Sequence, residues 1–204
     1  MGLSARHADA FTELLNIGVG RAAAQLNRLV NSSIELNVPV VELVSAGNVA
    51  HCIGEPDKDD VTLVEITFFG PLEGHAILSF ATDSAASVAA LMADGDCDEE
   101  TRAAAVTELG NILLNSVVGS IMNVLEAGID YRVPRHYEGP RRNAPGVSDL
   151  GGHIGLSAGA RFTVRENRVD GQVLLIFAVD AFSALISAID RIDGRSLTEA
   201  TWPT

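Results

Sequence analysis

The sequence predicts an α/β fold. The expected architecture is a single domain over 1–204, built from two pseudo-symmetric helix–strand–strand–strand–helix halves, with a six-stranded, mainly antiparallel sheet and helices packed on it. Two observations carry that prediction. The chain is written twice, once over about 4–95 and again over about 98–193. Within each copy the apolar period also switches from helical to alternating and back.

The repeat is visible residue by residue. Glu13-Leu14-Leu15-Asn16-Ile17 returns 95 positions later as Glu108-Leu109-Gly110-Asn111-Ile112, and at that offset Ile34, Val38 and Pro39 meet Ile129, Val133 and Pro134. Seven of the 27 aligned positions from Glu13 to Pro39 are identical. At an offset of 97, Gly74–Asp83 aligns with Gly171–Asp180. Two copies of this length fit duplication and fusion rather than a solenoid.

The elements follow in order. Helices are expected at about 4–31 and 98–126, and strands at about 34–45, 61–69, 73–82, 129–137, 153–165 and 171–179. In the fifth strand Ile154, Leu156, Ala158, Ala160, Phe162 and Val164 alternate with Gly or polar residues, the mark of one buried face. Short turns at 70–74 and 166–168 imply antiparallel pairing. Asp83 and Asp180 stand where N-caps belong, ahead of Ala- and Leu-rich helical runs.

Composition narrows the class of function. The 204 residues include 27 Asp plus Glu against 14 Lys plus Arg, a net charge of −13. That balance argues against nucleic acid and anionic membrane as partners. The two cysteines, Cys52 and Cys97, are too few for a disulfide framework, and a cytoplasmic setting is expected. The apolar run Leu109–Leu125 carries Asn111, Asn115, Ser116, Ser120 and Asn123, which suits a buried helix better than a lipid span.

Unrolled at about 100° per residue, the first helix gathers Phe11, Leu14, Gly18, Ala22, Leu26 and Leu29 on one side, with Leu15 at its margin. Asp9, Glu13, Asn16, Gly20 and Asn27 lie opposite. The second helix gathers Val106, Leu109, Leu113, Val117, Ile121 and Val124, opposite Glu108, Asn111 and Asn115. Glu and Asn on an outer helix face are ordinarily just solvated. Their recurrence at one register, each Asn followed 23 residues later by a proline, points to a docking face instead. Asn is a mediocre mid-helix residue, and Gly20 costs about 1 kcal/mol relative to Ala, so neither is there for helix stability.

These residues resemble the CheC-type phosphatases of chemotaxis. The family pattern is Asp or Ser, three residues, Glu, two residues, Asn, then 22 residues and Pro. Asp9, Glu13, Asn16 and Pro39 match it in one copy, and Glu108, Asn111 and Pro134 in the other. Two departures stand out: Ala104 replaces the Asp or Ser of the second copy, and Leu15 replaces the usual glycine before the first Asn.

The resemblance implies hydrolysis of the aspartyl phosphate of a CheY-like response regulator. Asn16 and Asn111 would orient the attacking water, while Glu13 and Glu108 anchor the regulator and Asp9, Gly20 and Asn115 complete the docking faces. No metal or cofactor is expected on this chain; Mg²⁺ is expected on the partner. A rival reading is a non-catalytic adaptor that sequesters a regulator or binds a CheD-like protein.

Three further signals carry less. Gly18-Val19-Gly20-Arg21-Ala22-Ala23 matches a dinucleotide-binding expression but lies inside a predicted helix. His51 beside Cys52 lacks a second pair at metal-ligand spacing. The basic stretch Arg132, Arg135, His136, Arg141 and Arg142 reads as a solvated loop, or else as a steering patch for an acidic receiver.

Overall fold

A computed structural model describes residues 4–30, 34–37, 41–45, 48, 51–53, 59–93, 95, 97–124, 126, 128–145, 153–164 and 167–191. In chain order the elements are α1 (Ala5–Val30), β1 (Ile34–Asn37), β2 (Val41–Ser45), β3 (Asp60–Phe69), β4 (Gly74–Ala81) and α2 (Thr82–Met92). The second half supplies α3 (Glu99–Val124), β5 (Asp130–Tyr131), β6 (Arg135–Pro140), β7 (His153–Val164), β8 (Asn167–Ala178) and α4 (Val179–Arg191). A 3-10 turn, Arg141–Asn143, follows β6.

Each long helix starts on a capping side chain. The His7 backbone N–H donates to Ser4 Oγ at 3.2 Å, and the Thr101 backbone N–H donates to Asp98 Oδ1 at 2.8 Å. Hydrogen bonds from Thr101 hold the Asp98 carboxyl below its usual range. Asp83 and Asp180 do not serve as N-caps. Their helices begin at Thr82 and Val179, which places both carboxylates in the first turn. There they complement the helix dipole, and Asp83 Oδ1 accepts the Ser84 N–H at 2.9 Å.

The eight strands form one antiparallel sheet in six lanes, ordered β1, β7, β8, β4, β3, β5, with β2 also on β7 and β6 also on β3. Both edge lanes, expected as single strands, are each split in two. On one edge Tyr131 pairs with Phe68 and Arg135 with Glu65, so three residues oppose two and the ladder carries one extra residue at Arg132–Pro134. Pro134 has no N–H for the ladder, which is why an edge bulge suits it. On the other edge the register also slips by one between Asn37↔Arg161 and Val41↔Ala158. Pro39 itself lies outside the described residues.

The lanes show how the halves combine. The two hairpins β3–β4 and β7–β8 meet along β4 and β8. Each edge lane then belongs to the other half: β1 and β2 pair with β7, and β5 and β6 pair with β3. Ile77 pairs with Leu174, its own counterpart at the offset of 97, so the pseudo-twofold axis passes through that pair. Neither half closes its own sheet.

Helices cover one sheet face. Val64, Ile66, Phe68, Leu78, Phe80, Leu175 and Phe177 point into a core shared with α1, α2, α3 and α4. Phe11 of α1 stacks on Phe182 of α4 with ring centroids 5.8 Å apart. The helix α3 lies deepest, with Gly110, Ile112, Leu114, Val118 and Met122 buried as well as Val106, Leu109, Leu113, Val117 and Ile121 of its expected stripe, while Val124 is half-buried. Its most apolar 18-residue window is 61% buried, which accounts for its membrane-like hydropathy. The side chain of Leu29 lies outside the described residues.

The opposite sheet face carries a smaller cluster of Leu63, Ile77, Leu174 and Ile176 under Ile53 and Ala144. Glu65 sits on this face at 2% exposure, with Oε1 2.8 Å from His75 Nδ1 and Oε2 3.4 Å from Arg135 Nη1. His75 and Arg135 are themselves partly solvated, so losing the carboxylate does not strand a buried cation. Glu65→Ala is therefore expected to cost about 1–2 kcal/mol, read as a lowered urea midpoint at constant slope. An unchanged midpoint would show that the ion pairs contribute nothing.

Candidate functional site

The two predicted faces are both present, but they differ in shape. On α1, Asp9, Glu13, Asn16 and Gly20 are all exposed, and within 4 Å of a Cβ built on Gly20 there is nothing. This face is open. Gly18, two residues away, faces the opposite way: its Cβ would lie 2.6 Å from Val117 Cα and 2.8 Å from the Ser116 carbonyl oxygen. The missing side chain at Gly18 sets how closely α1 and α3 cross.

On α3, Glu108 is exposed while Asn111 and Asn115 are half-buried. They line a groove of about 560 Å³ between α3, α1 and the segment after α3. Asn115 Nδ2 donates to Asn111 Oδ1 at 2.8 Å, and Tyr131 Oη lies 3.5 Å from the Asn115 carbonyl oxygen. Burial pushes the Tyr131 phenol up, so it stays a neutral donor. Gly110, in the helix wall behind Asn111, lets α3 rest on Val64, whose Cβ is 2.6 Å from where a glycine Cβ would be. Leu15, its counterpart, is 1% exposed and packs in the core.

The structure adds residues that the helical projections leave out. Arg21 and Gln25 of α1 also line the groove, together with Asn111 and Asn115. At the offset of 95, Asn115 stands where the first copy has Gly20, Ser116 where it has Arg21, and Ala104 where it has Asp9. That offset was the available signal, because it shows the two faces diverging at these three positions.

The secondary signals resolve structurally. Gly18 to Ala23 lies inside α1, with no strand leading into it. Cys52 Sγ donates to the Asn48 carbonyl oxygen at 3.6 Å, and burial raises its thiol pKa. Among the described residues, no three His, Cys, Asp or Glu side chains gather as a metal site. In the basic stretch Arg135 and His136 lie in β6 and Arg141 and Arg142 in the 3-10 turn, while Arg132 lies in the irregular segment between β5 and β6. Two of its arginines have local duties, Arg132 over the Phe69 ring at 4.9 Å and Arg135 beside Glu65.

No family model matches the chain. By sequence it is 28% identical over 139 residues to the flagellar motor switch phosphatase FliY of Bacillus subtilis (strain 168), a match covering 65% of this chain and 36% of that protein. The fold is that of Thermotoga maritima FliY, with a TM-score of 0.76, 20% identity, and 94% and 99% of the two chains covered. It is also that of FliM in the FliM–SpeE complex of H. pylori, with a TM-score of 0.69, 9% identity, and 95% and 99% coverage. The CheX–CheY–BeF3–Mg complex of Borrelia burgdorferi gives a TM-score of 0.51 at 20% identity, covering 79% and 96%. In sequence the chain is similar to FliY, and it shares its architecture with FliY, FliM and CheX.

Proposed function

We propose that the chain is a phosphatase acting on the aspartyl phosphate of a CheY-like receiver domain. The observation that carries this reading is the Glu and Asn pair repeated at one helical register on α1 and α3, with Glu13, Asn16 and Glu108 exposed and Asn111 half-buried at a groove. Similarity to a protein named a phosphatase supports it, as does a relative of the same fold in complex with CheY.

The chemistry asks for little covalent help. Water attacks phosphorus, the bond from phosphorus to the aspartyl oxygen breaks, and inorganic phosphate leaves with the proton shed by the water. Positioning and charge stabilisation supply most of the acceleration in such transfers. An Asn amide both donates and accepts, so Asn16 or Asn111 holds the water in line without acting as a base. Glu13 and Glu108, one turn away, pair with a cation on the receiver and set the docking register. The receiver supplies Mg²⁺, and the encounter takes place in the cytoplasm.

A steady-state assay on an acyl-phosphorylated receiver tests the assignment. The wild-type chain accelerates phosphate release, and Glu13→Gln with Glu108→Gln raises KM while kcat stays nearly constant. A matching fall in kcat would make the glutamates part of the chemistry. No acceleration by the wild-type chain would end the reading.

A second reading, an adaptor that sequesters a regulator or binds a CheD-like partner, draws on the FliM likeness, since FliM is seen in complexes with SpeE and with FliG. The intact Glu and Asn pairs favour the enzyme.

A further inference from the structure

We propose that Asn115 is a positioning residue for the Asn111 amide, a device that the α3 face has and the α1 face lacks. The inference rests on the phosphatase reading and deepens it: Asn111 holds the attacking water, and Asn115 fixes the amide that holds it. Asn115 lies four residues after Asn111 on α3, so one helical turn brings the two side chains together. Its Nδ2 donates to Asn111 Oδ1 at 2.8 Å. At the offset of 95 the first copy has Gly20 at this register, and a glycine has no side chain to play that part for Asn16.

An unrestrained Asn amide turns about its last side-chain torsion, and its oxygen and nitrogen ends have nearly the same shape. The bond from Asn115 makes the two ends of Asn111 unequal. It occupies one lone pair of Oδ1 and leaves the other to accept a water hydrogen, while both Nδ2 hydrogens stay donors. An in-line attack needs its water in one orientation, and misplaced geometry lowers the rate steeply.

Stability does not explain Asn115. Its Oδ1 is buried with no hydrogen-bond partner among the described residues, which works against folding. Leu is the better helix former at such a position. The side chain carries a local penalty while its amide bonds Asn111, the pattern expected where function overrides local preference.

Two measurements on the full chain test this. The first needs no partner. Side-chain ¹⁵N relaxation of the Asn111 amide is compared between the wild type and Asn115→Leu, which keeps the bulk and removes the donor. A lower order parameter is expected in the variant, and Asn115→Gln, which can still donate, restores part of it. An order parameter unchanged by Asn115→Leu overturns the positioning role.

The second measures kcat and KM with an acyl-phosphorylated receiver in an Asn16→Ala background, where Asn111 alone serves. Asn115→Leu lowers kcat roughly 10-fold at nearly constant KM. Asn115→Asp, a pure acceptor that turns Asn111 Nδ2 toward itself, lowers kcat at least as far, and Asn115→Gln recovers part of the loss. In an Asn111→Ala background Asn115→Leu costs much less. A raised KM with constant kcat would make Asn115 a docking residue and overturn the proposal, as would equal losses in the two backgrounds. A wild-type chain with no activity ends the phosphatase reading, while the relaxation measurement still decides whether Asn115 fixes Asn111.

Discussion

Replacing both Asn16 and Asn111 with Ala is expected to return receiver dephosphorylation to its spontaneous rate, a loss of roughly 10²–10³-fold in kcat, while docking largely survives. Binding survives because Asp9, Glu13 and Glu108 keep their exposed positions. Ala is the better helix former, so α1 and α3 gain propensity at both sites. Removing Asn111 also frees the amide of Asn115, which sits at the edge of a groove where water can take over the bond. Far-ultraviolet circular dichroism and a pull-down with the receiver therefore match the wild type when turnover is gone. Residual activity near wild type in the double variant would mean that some other group positions the water. Each single variant reports the share carried by the remaining face.

The largest effect on stability is expected at Gly18, and its contrast with Gly20 is informative. A Cβ at Gly18 meets the backbone of α3 at 2.6 Å, and backbone cannot rotate away as a flexible side chain can. Gly18→Val must therefore push the two long helices apart, at about 2–3 kcal/mol. At Gly20 the space is empty, so Gly20→Ala stabilises α1 by about 0.5–1 kcal/mol through reduced backbone entropy of the unfolded chain and better helix propensity. Urea midpoints should move in opposite directions. If Gly20→Ala also weakens receiver binding, the stabilised variant cannot be dismissed as misfolded, and the α1 face is a docking surface. Unimpaired binding by a bulkier Gly20→Leu variant would show that no partner approaches there.

Much of the architecture is legible in the sequence because the duplication is strong. Both long helices fall within two residues of their expected ends, and all six strand segments exist. What the repeat cannot show is which half each edge strand joins. That exchange depends on contacts between distant segments, and a local period of two is the same whichever neighbour a strand takes. The breaks in the edge lanes have a local cause at Pro134, yet a proline marks only an edge or a bulge and does not choose between them.

The site follows the same division. Helical projection places Asp9, Glu13, Asn16, Gly20 and Glu108 outward correctly, since exposure there follows from the turn angle alone. It draws α1 and α3 as equals, whereas α3 is buried around most of its circumference. The half-burial of Asn111 and Asn115, and the share of Arg21 in lining their groove, arise from the helix crossing fixed at Gly18 and Val117. No single-helix pattern contains that information.

The most direct test of the central claim counts phosphate. An acyl-phosphorylated receiver is mixed with a substoichiometric amount of this chain, and the phosphate released beyond spontaneous decay is measured per chain. Catalysis predicts many phosphates per chain, in proportion to time until the receiver is exhausted. Release of no more than one phosphate per chain, or slower decay in proportion to the chain added, would contradict the account and mark the protein as a sequestering partner.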